Sequence, residues 1–135
     1  MKQRALSRPA AAAAISAVAW TWFDCAANVE GLSFPWDAWI DRVEVQLTGI
    51  NPGGAPTVSC RLSYTAAGTV GCSRIDVQTP INDPAANTRG TSIHPVAGYY
   101  PSTSDAVPGR LYVGLLLSAG VAVALPRVIW SKEDD

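Results

Sequence analysis

The run from Arg110 to Trp130, RLYVGLLLSAGVAVALPRVIW, constrains the fold of this chain more than any other segment. It reads either as a helix that crosses a membrane or as two strands. Leu111, Val113, Leu115 and Leu117 share one parity, and Tyr112, Gly114 and Leu116 the other. After Ser118-Ala119-Gly120, Val121, Val123 and Leu125 alternate with Ala122 and Ala124. Period-2 alternation on both sides of a short Gly-containing loop predicts a β-hairpin. A bilayer-spanning helix needs roughly 20 apolar residues. The uncharged stretch Leu111 to Leu125 is shorter than that and ends at Pro126-Arg127. The expectation is therefore a water-soluble all-β domain with no membrane partner.

The chain has 135 residues, enough for one domain with a real hydrophobic core. Only 16% of them are charged and the net charge is −1. Nucleic acid demands clustered Lys and Arg, so this balance argues against a nucleic-acid partner. An uncharged, Trp-bearing surface is better suited to being covered by protein neighbours. The three cysteines, Cys25, Cys60 and Cys72, are too few and too odd in number for a disulfide framework. Cys60 and Cys72 could face one another across a hairpin, but the simpler reading is three small buried hydrophobes. With His94 they make a Cys3His set by count, yet no pair has CxxC or HxxxH spacing, and no metal or cofactor is expected.

MKQRALSR followed by the apolar run Pro9–Phe23 has the outline of an export signal. That run is mostly Ala, however, and Trp20, Trp22 and Phe23 crowd the place where small residues should precede cleavage. The parse adopted is an arm over residues 1–14, then a single domain over 15–135 opening with a strand at 15–23. A half-buried strand follows at Trp36–Thr48, with Trp39, Val43, Val45 and Leu47 on its inner parity. Asn51-Pro-Gly-Gly-Ala-Pro56 is a loop. Thr57–Tyr64 and Thr69–Gln78 form a hairpin turned at Gly68, with a β-bulge at Ser73 or Arg74. Residues 79–109 are irregular and rich in proline, with one short strand at Thr91–Val96 or Ala97–Tyr100. About six to eight strands and no convincing helix beyond the arm point to an antiparallel β-sandwich, jelly-roll-like rather than immunoglobulin-like.

Chemistry is sparse. The lone histidine, His94, needs a Ser or Cys partner and an orienting carboxylate to act as a base, and no GxSxG elbow is present. Asp37 and Asp41 share a strand face, but such residues ordinarily flank a strand entrance and pair with arginines. No glycine pattern makes a phosphate loop. The chain is not expected to be an enzyme. Trp20, Trp22 and Trp39 sit on core parities. Trp36, Tyr99, Tyr100 and His94, beside prolines, are the candidates for an exposed contact or ligand surface, with a glycan as the conceivable ligand.

Taken in order, several segments carry a resemblance. They are a basic arm, a Trp-containing first strand, Trp39-Ile-Asp-Arg-Val-Glu-Val45, the Leu62–Gly68 turn region, Leu111–Gly120 and the closing Val128-Ile-Trp130. Together they resemble the small β-sandwich structural proteins of tailed bacteriophage virions, such as decoration, head-fibre or tail accessory subunits. The resemblance implies a non-enzymatic repeated subunit, assembled in the host cytoplasm. Its partners would be copies of itself, a trimer among the expected forms, and other virion proteins. The arm would grip a neighbour. No functional residue carries over. The alternative is a secreted carbohydrate-binding sandwich that uses exposed Trp and Tyr.

Overall fold

The computed structural model describes residues 2–26, 28–29, 38–51, 56–66, 68, 76–82, 89–100 and 110–133. Among these are eleven strands and no helix. They are β1 (Lys2–Arg8), β2 (Ala13–Ser16), β3 (Thr21–Asp24), β4 (Asn28–Val29), β5 (Ala38–Asn51), β6 (Val58–Ser63), β7 (Asp76–Gln78), β8 (Ile81–Asn82), β9 (Gly90–Tyr100), β10 (Tyr112–Leu117) and β11 (Val121–Glu133). One sheet runs β4-β1-β11-β5-β9-β8, with β2 also paired to β11; the other runs β3-β10-β6-β7. With β1 and β2 counted as one interrupted strand, β1/β2-β11-β5-β9 faces β3-β10-β6-β7. This is the strand order of a jelly-roll, and every pairing is antiparallel. The core lies between the sheets. Ile40, Val43, Val45, Leu47, Val128 and Trp130 of the larger sheet meet Phe23, Val58, Cys60, Val113, Leu115 and Leu117 of the smaller.

The two strands of the C-terminal run form as expected, but they do not pair with each other. β10 has its edges taken by β3 and β6, and β11 by β1/β2 and β5. The turn at 118–120 is thus an arch from one sheet to the other, not a hairpin. Gly120 supplies the positive φ of 73°. The Ser118 N–H donates to the Thr57 carbonyl at 3.0 Å, and the Thr57 N–H donates to Ser118 Oγ at 2.8 Å. Alternation encodes which face a residue takes, not which strand lies beside it. That is why the run misleads about pairing.

Three further expectations change. Residues 2–8, expected in an arm outside the sandwich, form β1 and pair with β11 from Lys2↔Glu133 to Ser7↔Val128. β11 has thirteen residues, and its otherwise bare edge is a strong template for another strand. Trp130 Nε1 donates to the buried Ser7 hydroxyl at 2.8 Å and fastens the two. The single strand expected at 15–23 is broken into β2 and β3, which belong to different sheets. The Val18 N–H donates to Ser16 Oγ at 3.2 Å in the connecting turn, and Val18 itself is 92% exposed. The irregular third contains an eleven-residue strand, β9, that spans both segments considered for a short one.

The expected hairpin is present as β6 and β7, registered Val58↔Gln78 and Cys60↔Asp76. Gly68 turns it at φ 71°, with its N–H donating to the Thr65 carbonyl. Cys72 and the bulge expected at Ser73 or Arg74 lie outside the described residues. Cys25 and Cys60 are buried free thiols.

Candidate functional site

Two groups of polar and aromatic side chains stand out, one between the sheets and one on an outer face. The first is built on β9. Ser92 and His94 lie two residues apart, so both point to the same face, inward. Asp76 of β7 reaches them from the opposite sheet. His94 Nδ1 lies 2.9 Å from Asp76 Oδ2, and His94 Nε2 lies 2.8 Å from Ser92 Oγ. A carboxylate can only accept, so Nδ1 carries the proton, and Ser92 donates to Nε2. Burial pushes the His94 imidazole below its ordinary value, against the opposing pull of Asp76, and keeps the ring neutral.

These are the members and the hydrogen-bond order of a nucleophilic triad. Two of the three are closed off: Ser92 is 1% exposed and His94 0%, while Asp76 is partly exposed. The adjoining cavity, lined by Cys60, Leu62, Asp76, His94 and Val96 among others, measures about 20 Å³, room for one water. Burial also raises the Cys60 thiol far above its ordinary range, so no thiolate forms there. Among the described residues no cluster of three or more His, Cys, Asp or Glu could hold a metal ion.

The second group lies on the outer face of the larger sheet. β5 pairs Ile40 with Trp130 and Arg42 with Ile129, which leaves Asp41 as an extra residue against β11. On the other side Ile40 pairs with Gly98 and Arg42 with Pro95, so Val96 and Ala97 both stand opposite Asp41. Ala97 takes φ 47°, a left-handed conformation unusual for a side-chain-bearing residue. The two irregularities coincide at Asp41 and reverse the parity of the strand. Ile40 and Val43 are both inside; Trp39, Asp41 and Arg42 are all outside. Trp39, expected in the core with Val43, is therefore a half-buried outer-face residue. The signal was present in the Asp41-Arg42 pair, two consecutive charges that no alternating strand accommodates.

Arg4, Ser131 and Trp39 form one cross-strand row over β1, β11 and β5. With Asp41, Ile129 and Trp130 they line an open pocket of about 140 Å³. Asp41 is ion-paired with Arg42, which also holds Glu44 at 2.9 Å. Arg4 is exposed and has no ion-pair partner among the described residues.

Trp20 and Trp22, also expected in the core, are half-buried on the outer face of the smaller sheet. Their rings stack at 6.1 Å, and the Arg61 guanidinium lies 5.7 and 6.0 Å from the two centroids. Trp22 covers Gly114 and Gly68 so closely that a Cβ at either would fall within 2.7 or 2.0 Å of its ring. That aromatic site is closed by its own neighbours. Of the residues expected at a contact surface, His94 is instead buried in the first group, because it sits mid-strand on the inner parity of β9. Trp36 lies outside the described residues, as does Asp37. Tyr99 and Tyr100 pair through their backbones with Trp39 and Ala38, which puts them at the pocket end of the larger sheet; their side chains lie outside the described residues.

Among solved structures, a chain of the cyanophage Pam1 capsid asymmetric unit is similar. The TM-score is 0.44 and the sequence identity 9%, over 98% of this chain and 85% of that one. No family model and no curated protein matches the sequence. No helix among the described residues is long and apolar enough to cross a membrane.

Proposed function

We propose that this chain is a non-enzymatic structural subunit of a bacteriophage virion, present in repeated copies as a decoration, head-fibre or tail accessory protein. The observation that carries the reading is an apolar strip on a surface otherwise poor in charge. Val121 and Val123 of β11 are 49% and 41% exposed on the outer face, beside Ala14 of β2. Val18 stands out of the neighbouring turn. Such a strip is a place for a protein neighbour. Jelly-rolls are a recurrent architecture of capsid subunits, and the strand texture of the sequence resembles small virion proteins. What supports a role without catalysis is that Ser92 and His94 of the triad-like set are buried, beside a space of about one water. The contact surfaces are then the strip and the short sheet edges, since β1 is occupied by β11.

The test is mass spectrometry of purified particles, together with light scattering of the purified chain. The chain should be found in particles at a fixed copy number, and in solution as an oligomer that Val121→Lys with Val123→Lys converts to a monomer. Absence from particles, or a monomer at every concentration in the unaltered chain, would overturn the reading.

A further inference from the structure

We propose that the pocket bounded by Arg4, Trp39, Asp41 and Ser131 binds one ring of an acidic saccharide, a sugar bearing a carboxylate. This goes beyond the structural role and does not depend on it. Four observations converge there.

The first is the double irregularity at Asp41. It turns Trp39 out of the core and places two successive charged residues, Asp41 and Arg42, on the same face. Bulges of this kind re-aim side chains and are enriched beside functional sites. The left-handed Ala97 opposite is the one non-glycine residue with positive φ among those described. Backbone held in a disfavoured region is found where the surroundings demand it.

The second is size. A space of about 140 Å³ is small beside the roughly 300–1,000 Å³ of pockets for drug-sized molecules, so it suits a single compact ring. The third is the wall chemistry. A half-buried indole offers an apolar surface to the C–H bonds of a pyranose, while Asp41 and Ser131 take hydroxyl groups. The fourth is charge. Asp41 already has its counter-ion in Arg42. The Arg4 guanidinium has no carboxylate of its own among the described residues. A ligand carboxylate would complete it, through the paired N–H···O geometry that arginine favours. At Trp20 and Trp22, Arg61 and the seat on Gly114 and Gly68 already occupy the rings.

The experiment is an NMR titration of the full chain with methyl glucuronide and, in parallel, methyl glucoside. Saturable shifts confined to the pocket are expected for the glucuronide, with the glucoside weaker by about tenfold, the worth of one charge-assisted pair. Trp39→Ala should weaken glucuronide binding by about tenfold or more, and Trp39→Phe by less. Arg4→Gln should remove the preference for the acidic sugar, and Gln46→Ala, outside the pocket on the same sheet, should change nothing. All four variants, at Trp39, Arg4 and Gln46, should retain the dispersed spectrum of the folded chain. No saturable shift with the glucuronide would overturn the proposal, as would equal binding of both sugars or unchanged binding in Trp39→Ala.

Discussion

The two polar groups of this molecule have similar ingredients and opposite fates. Between the sheets, Ser92 and His94 bond to one another and His94 to Asp76, which also accepts from Gln78, and burial closes off Ser92 and His94. On the outer face, Arg4, Trp39 and Asp41 surround an open space, and Arg4 remains uncompensated among the described residues. The lesson concerns what makes a site. Hydrogen-bond order alone is satisfied by the interior group, which holds the two sheets together. In the exterior one, Arg4 is exposed and has no ion-pair partner among the described residues.

The largest effect should come from the interior. His94→Leu removes the link between β9 and β7 and leaves the Ser92 hydroxyl buried without a partner. A buried orphan of this kind, added to altered packing, costs about 2–4 kcal/mol. Urea unfolding measures it. Adding Ser92→Ala should recover part of the loss, because removing both partners of a buried bond is cheaper than removing one. If His94→Leu proved neutral, the cluster would have no structural role, and the contrast with the pocket would fail.

The same cluster gives the fold a pH dependence with a definite sign. In the unfolded chain His94 takes its proton at the ordinary value of 6.5, whereas burial holds the folded value lower. Below 6.5 the unfolded state therefore binds more protons, and stability falls as pH drops from 6.5 towards the lowered folded value. Above 6.5 both states are neutral at this residue and its contribution is constant. Asp76 pulls in the opposite direction but does not overcome the burial. Unfolding midpoints between pH 5 and 8 should show this slope, and His94→Gln should flatten it. A slope of opposite sign would mean an imidazolium paired with Asp76 in the folded protein, with the carboxylate outweighing burial.

How far the sequence reveals these two regions differs for a physical reason. Alternation in β6 gives the correct inward face, and in β10 it groups the buried residues on one parity, because period 2 is a property of the single strand. In β11 it does not say which face is inner, and the smaller Ala122 and Ala124 are buried while Val121 and Val123 are exposed. Partners are set elsewhere, by the jelly-roll order, so the C-terminal run looks like a hairpin and is an arch. Ser92 and His94 could be placed on one face from their spacing. Asp76 could not, since it arrives from the other sheet over a connection that pattern does not encode. Trp39 was misplaced because one residue inserted at Asp41 reverses every parity before it. Trp20 and Trp22 went astray differently. Their parity is regular, but Gly114 and Gly68 make room for an indole on the outer face, where size alone would argue for the core.

A smaller effect is expected at the pocket. Trp39→Ala removes a half-buried outer-face ring, and its cost should stay within about 1 kcal/mol, against about 3–5 kcal/mol for Trp130→Ala in the core of the same sheet. Arg4→Gln, at an exposed position, should fall within about 0.5 kcal/mol. Calorimetric melting of the three variants compares them directly. A cost for Trp39 as large as for Trp130 would make Trp39 a packing residue and leave little reason for the pocket around it.

The smallest expected effect is none, and it bears on the catalytic resemblance itself. A fluorophosphonate reagent phosphonylates serine only where a base takes the hydroxyl proton and the phosphorus can approach in line. Ser92 has the base, since its hydroxyl donates to His94 Nε2 at 2.8 Å and Asp76 holds the ring in the required tautomer. It lacks the approach, because the neighbouring cavity admits about one water. Under native conditions intact-mass spectrometry should therefore show no adduct on the folded chain. A stoichiometric adduct at Ser92, lost in His94→Gln, would show that the sheets open at β7 and β9 far enough to admit a substrate. The interior group would then be the reactive one, and the exterior pocket at most its companion.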